Sequence, residues 1–201
     1  MQLTGQTRVH LVRHGEVDNP GKVIYERLPG FPLTPSGHRM AEAAAAALDG
    51  IDVAHLAASP LERTMQTAAP ISATLRVPVT PDERLVEARH RLAGRRVDMS
   101  LRALANPAHW LALHNPFRPS WGEPYTEVRT RMLAAIDDAR TVAAGRDAVL
   151  VSHQLPIWIL RRHWQGGRLW HDPRRRQCAL ASITTLHFTG DELTDLTYRE
   201  T

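Results

Sequence analysis

A chain of 201 residues with 43% hydrophobic residues can bury one substantial core, and its length predicts a single domain over residues 1–201. Its apolar runs, such as Val149 to Val151 and Leu155 to Leu160, are short and flanked by His and Arg, which excludes a helical membrane span of roughly 18 to 20 apolar residues. The net charge of +4 comes almost wholly from arginine, since Lys22 is the only lysine, and arginine suits bidentate recognition of phosphate or carboxylate.

Met1 to Arg13 has no positive segment followed by an apolar stretch, so no signal peptide is read there. With Cys178 as the single cysteine, no intrachain disulfide forms, and a cytoplasmic setting is expected. Arg8 to Arg13 is a β-branched, apolar run that stops at His14-Gly15 and predicts a first strand ending in a turn. Glu16 to Pro32 carries Asn19-Pro20-Gly21 and Pro29-Gly30 without periodicity, which predicts a long loop on the same edge as His14. Thr34-Pro35-Ser36 then reads as a helix start, followed by the alanine-rich stretch Met40 to Leu48 and a stop at Gly50.

Val53 to Ala58 predicts a second strand, and Ser59-Pro60 opens a second helix with Leu61, Met65, Ala68 and Ala69 at helical spacing. Val77 to Leu85, broken by Pro78 and Pro81, reads as a short edge strand and connector. From Glu87 to Trp121 the pattern is irregular, which predicts a small inserted cap at about 88–121. Within it His90, His109, His114, Trp110 and Trp121 either line a substrate site or pack. Glu123 to Ala144 is a long amphipathic helix, and Ala148 to Ser152 is a continuous apolar strand ending at His153, with a further helix after Pro156. The basic runs Arg161-Arg162 and Arg174 to Arg176 lack interleaved aromatics and read as solvated faces, not nucleic-acid contacts. Ala181 to Phe188 and Leu193 to Tyr198 form a terminal hairpin. The expected fold is α/β, three layers (α/β/α), with a mostly parallel central sheet, an edge hairpin and the inserted cap.

Ligands in open α/β sheets bind beyond the carboxyl ends of the strands. Arg13-His14, Ser59 to Arg63 and Ser152-His153 each follow a strand, so three polar clusters converge on one edge. His10 and His14 share an H-x3-H spacing, but on a strand they stand roughly 13 Å apart, too far to hold one metal ion. No G-x-S-x-G elbow, P-loop or G-x-G-x-x-G fingerprint is present, so neither metal nor cofactor is expected.

Leu11-Val12-Arg13-His14-Gly15-Glu16 resembles the signature of the histidine phosphatase superfamily, whose members include phosphoglycerate mutases and many small-molecule phosphatases. Further landmarks follow in the family's order: Leu33-Thr34 with Gly37 and Ala41, Ser59-Pro60-Leu61-x-Arg63 with Gln66-Thr67-Ala68, Leu85-x-Glu87, and Val151-Ser152-His153. Together they cover most of residues 8 to 160. The resemblance implies that His14 is a nucleophile that becomes phosphorylated, that Arg13 and Arg63 grip the phosphoryl oxygens with a protonated His153 as a third donor, and that Glu87 serves as acid and then base. Asp82 and Glu83 are rivals for the last role, and a surface charge is the alternative for Glu87, because Ala88 to Val97 lacks the tryptophan-containing stretch that often follows.

Two further positions depart from the pattern. Asn19 matches a substrate-binding asparagine with the spacing one residue short, and otherwise reads as a turn residue before Pro20. Gln154 stands where the family often has glycine, and Ser152 is expected to pack or cap. The function implied is a phosphomonoesterase acting on a small phosphorylated metabolite through a phosphohistidine. The alternatives are a phosphoglycerate mutase and a non-catalytic phosphate-binding module, the latter disfavoured because His14 and Glu87 are both retained.

Overall fold

The computed structural model describes residues 5–91, 93–96 and 122–201. Most of the expected cap, with His109, Trp110, His114 and Trp121, lies outside the described residues. In chain order the elements are β1 (Gln6–Arg13), α1 (Pro35–Ala47), β2 (Val53–Ala58), α2 (Glu62–Leu75), β3 (Val79–Pro81), α3 (Tyr125–Ala143), β4 (Asp147–Ser152), α4 (Gln154–Trp164), β5 (Ile183–Thr189) and β6 (Glu192–Arg199). Short 3-10 turns lie at Glu83–Leu85 and Pro173–Arg175.

The strands form one sheet in the order β3-β2-β4-β1-β5-β6. The first four in that order run parallel, and the β5–β6 hairpin adds antiparallel beside β1. β3, which contains Pro81, sits at the edge, where a missing backbone donor costs no ladder bond. Alternation along the strands supplies two cores from one sheet. Val9, Leu11 and Leu150 pack with Val128, Met132 and Ile136 of α3 and Ile157 of α4. Val12, Val149 and Val151 face the other way, onto Ala44 and Leu48 beside α1 and Ala68 and Ile71 of α2. This is the three-layer arrangement expected from the alternating pattern. Among the described residues no helix is long and apolar enough to cross a membrane.

Two helix starts matter for the site. α1 begins as its sequence dictates: Thr34 Oγ1 accepts from the Gly37 amide at 2.9 Å, Pro35 follows, and the buried stripe Gly37, Ala41, Ala44 and Ala45 has no bulky side chain. α2 starts at Glu62, later than Ser59-Pro60 suggests, with Leu61 at the cap and no side-chain cap bond. Thr64 Oγ1 instead donates back to the carbonyls of Ser59 and Leu61. Ser59 is therefore left outside the helix, and Arg63 becomes its second residue.

Candidate active site

β2, β4 and β1 are neighbours in the sheet, so the residues that follow them meet at one edge. The His14 amide donates to Ser152 O at 3.1 Å and the Ser59 amide to Val151 O at 3.0 Å, extending the pairing just past the strand ends. His14 is 2% exposed. Its Nδ1 lies 2.8 Å from Gly15 O, and because a carbonyl only accepts, Nδ1 carries the proton. In the neutral ring the lone pair is then on Nε2. Burial, followed by the charges of Arg63 and Arg13, lowers the His14 pKa to about 3, so the ring is neutral at physiological pH.

The glycines of two landmarks brace this histidine. A Cβ on Gly15 would lie 2.4 Å from Gly37 O, and one on Gly37 would lie 2.1 Å from Glu16 O. The chain after β1 thus crosses the start of α1 backbone to backbone, which only glycine permits. Thr67 Oγ1 accepts from the Gly15 amide at 3.1 Å, and Thr34 Oγ1 donates to Glu16 Oε2 at 2.6 Å.

His153 is fully buried, with its ring centroid 5.2 Å from that of His14 and its Nε2 2.9 Å from Ser59 Oγ. A protonated His153 is not what the free site holds: burial, His14 and Arg63 push its pKa well below the usual imidazole range. If Ser59 donates to Nε2, the neutral tautomer carries its proton on Nδ1, a buried atom with no partner among the described residues. Arg63, 1% exposed, donates to Glu26 O and lies 4.8 Å from the centre of the Tyr25 ring. Arg13 donates from Nη1 to Cys178 O. Among the described residues the Nε atoms of both arginines are buried without a partner. Ser152 does pack, donating to Leu85 O at 2.7 Å, and Gln154 opens α4 without a positive φ.

A cavity of about 360 Å³ opens over His14 and Arg13. Glu87 lines it, delivered by the 3-10 turn after β3 and accepting from the Ala88 amide at 2.8 Å. Desolvation raises its carboxyl pKa. The rivals do not reach this cavity: Asp82 caps the turn and pairs with Arg84 at 2.8 Å, while Glu83 is exposed elsewhere. Asn19 also stays outside, since both its side-chain polar atoms bond the Val23 backbone at 2.9 and 3.1 Å.

The structure adds residues that sequence reasoning missed. Glu26 and Tyr25 come from the aperiodic loop, where no pattern marks a functional side chain. Arg176 belongs to the basic run expected to be a solvated face, and there the expectation is only half right. Arg174 pairs with Asp172 on the surface, but the turn at Pro173–Arg175 swings Arg176 into the cavity wall, where its Nε donates to His171 Nε2 at 2.8 Å. Lines of charge in a sequence carry no such direction. Among the described residues no cluster of His, Cys, Asp and Glu is placed to hold a metal ion.

Comparison with known proteins extends this geometry. Residues 9–201 match the family described as histidine phosphatase superfamily (branch 1). A Mycobacterium tuberculosis relative, "Uncharacterized protein Rv0525", is 50% identical over 195 residues, covering 97% of this chain and 96% of its own. "Probable phosphoglycerate mutase GpmB" of Yersinia pestis is 31% identical over 181 residues, 88% of this chain and 84% of its own. Among solved structures, a mycobacterial glucosyl-3-phosphoglycerate phosphatase superposes with a TM-score of 0.76 at 23% identity, covering 96% and 97% of the two chains. Bacillus stearothermophilus YhfR gives 0.73 at 24%, covering 96% and 95%, and both solved structures share the fold. With its matched landmarks meeting at one sheet edge, the chain belongs to the histidine phosphatase superfamily, branch 1.

Proposed function

We propose that this chain is a phosphomonoesterase that hydrolyses a small phosphorylated metabolite through a phosphohistidine at His14. The observation that carries the reading is the fixed tautomer of His14, whose Nδ1 proton is held by Gly15 O so that Nε2 keeps a lone pair over a cavity that Glu87 also lines. Arg13, which lines the cavity, and Arg63, which lies beside Tyr25 of its wall, supply fixed cationic donors for the charge that develops on the phosphoryl oxygens, and the His153 ring, beside His14, adds a neutral donor if its proton is on Nδ1.

In the first step His14 Nε2 forms a bond to phosphorus, the ester P–O bond breaks, and the leaving oxygen takes the Glu87 proton. In the second step the Glu87 carboxylate takes a proton from water, the water oxygen bonds phosphorus, and the P–N bond breaks to release inorganic phosphate. His14 is neutral again and Glu87 protonated. Splitting the displacement this way makes each barrier lower than a single attack by water. A cytoplasmic setting goes with this reading, since Cys178 is single and buried.

The test is a screen of phosphoglycerates, sugar phosphates and nucleotides with wild type and His14→Ala. Turnover by the variant is expected to fall by about 10³-fold or more, and equal turnover refutes the assignment. The name of the Yersinia relative favours a second reading, phosphoglycerate mutase. Trapped phosphoenzyme separates the two: transfer to water supports the phosphatase, and transfer to a phosphoglycerate supports the mutase.

A further inference from the structure

Glu26 shares the cavity wall with Glu87, and three contacts hold the loop that carries it. Arg63 donates to the Glu26 carbonyl, the neighbouring Arg27 donates from Nε to the Glu87 carbonyl, and the Tyr25 ring lies 4.8 Å from the Arg63 guanidinium. Glu26 itself has a φ of 32°, in the left-handed region that side chains other than glycine's disfavour. Its surroundings thus hold a strained carboxyl-bearing residue where glycine would fit more easily.

Among the described residues neither Glu26 nor Glu87 has an arginine nitrogen at ion-pair distance, whereas nearby Glu123 pairs with Arg27 and Arg131 at 2.6 and 2.8 Å. The charges that face the two carboxyls are more distant. Arg176 is the leading cation for both, followed by Arg63, with Arg27 acting on Glu26 and Arg13 on Glu87. Tyr25 is also close enough for its hydroxyl to feel both carboxylates. Burial first, and then the Glu87 charge, push Glu26 up to about 8, and Glu87 is raised too. Two carboxyls in one partly buried cavity titrate as a unit.

We propose that Glu26 is a positioning residue for the reaction's acid: it forms with Glu87 a two-carboxyl unit that retains one proton through neutrality, a role that rests on the reading of Glu87 as acid and base. The unit enters with one proton, gives it to the leaving oxygen through Glu87, stands as two carboxylates facing Arg176, and regains one from the attacking water.

Two measurements test this. In protein labelled at the glutamate δ-carbons, carbon NMR without substrate should show a carboxyl titrating near pH 8. That titration should be lost in Glu26→Gln and move to lower pH in Glu87→Gln, where burial still acts on Glu26 but the neighbouring charge is gone; ordinary titration of both carboxyls in wild type overturns the proposal. The second measurement is kcat against pH with glycerol 2-phosphate for wild type, Glu26→Gln and Glu26→Gly. Glycine keeps the backbone carbonyl that holds Arg63 and adopts the observed φ freely. In both variants the alkaline limb should move down by about one pH unit or more, because Glu87 alone releases its proton sooner. A uniform loss of rate with the limb unmoved marks a merely structural role and also overturns it. If neither glycerol 2-phosphate nor p-nitrophenyl phosphate is turned over, the hydrolase reading fails, and the NMR titration still decides whether the pair shares a proton.

Discussion

Glu87 is set apart from a surface carboxylate by its place in the wall of the His14 cavity and by the burial that raises its pKa. Burial shifts it toward its protonated form, and a protonated acid matters in proportion to how badly the leaving group needs a proton. Glu87→Gln is therefore expected to slow alkyl phosphates by about 10² to 10⁴-fold and aryl phosphates far less. Steady-state rates over a series of leaving groups check this, and an equal loss throughout the series counts against an acid role. The positions of His14 and His153 were legible because each lies just beyond a strand, and strand ends are visible as places where an apolar run meets a turn; Arg63, already inside α2, was singled out by the family's spacing. Glu87 was legible only through the family's spacing. Glu26 and Arg176 were not, because their directions depend on a left-handed backbone angle and on a 3-10 turn rather than on any periodicity.

At the scale of elements, the nucleophile's position depends on the crossing of the β1 exit over the start of α1. The nearest atoms at Gly37 are backbone atoms of Glu16, the second residue after His14, so neither side can yield by rotating a side chain. Gly37→Ala is expected to cost about 3 kcal/mol through overpacking, which lowers Tm by roughly 6 to 12 °C for a chain of this length. It should also displace His14 and reduce kcat. Gly21→Ala is the control, since its Cβ would meet only Val23 Cγ1 at 3.6 Å, and its Tm should stay close to that of wild type. Calorimetry of the two variants decides, and an unchanged Tm for Gly37→Ala would show that the crossing relaxes freely. The elements themselves were largely legible, because alternating apolar strands and amphipathic helices bury on two faces and say so in their spacing. The contact between Gly15 and Gly37 was not, since an aperiodic loop separates them and nothing local records which backbones touch. The start of α2 shifted because Ser59 Oγ is engaged with His153 Nε2 and Leu61 takes the cap position, so the sequence signal at Ser59-Pro60 marks the end of a strand rather than a cap.

For the whole molecule, the buried groups of the site determine how stability follows pH, and they pull in opposite directions. His14 and His153 are held neutral in the fold, while in the unfolded chain imidazoles protonate near 6.5. Their contribution is complete above that pH and is lost on acidification, at about 1.4 kcal/mol per pH unit for each site. His55, His90, His163 and His171 are lowered as well and act with the same sign. The Glu26–Glu87 pair keeps a proton that the unfolded chain gives up near 4.5, so its contribution is complete below 4.5 and is lost as pH rises toward about 8. Asp82 and Asp147, lowered by their hydrogen bonds to Arg84, His10 and Arg8, matter only below the ordinary aspartate range. Between 4.5 and 6.5 the histidines outnumber the carboxyls and stability rises with pH; above 6.5 only the carboxyl loss remains. The urea midpoint is accordingly expected to peak near pH 6.5 and to decline toward pH 8, with the decline reduced in Glu26→Gln and the acid-side fall reduced in His14→Gln. A wild-type midpoint that keeps rising from pH 6.5 to 8 would mean that the carboxyls of the cavity are ordinary surface acids, because only a proton retained by the folded state makes stability fall over that interval.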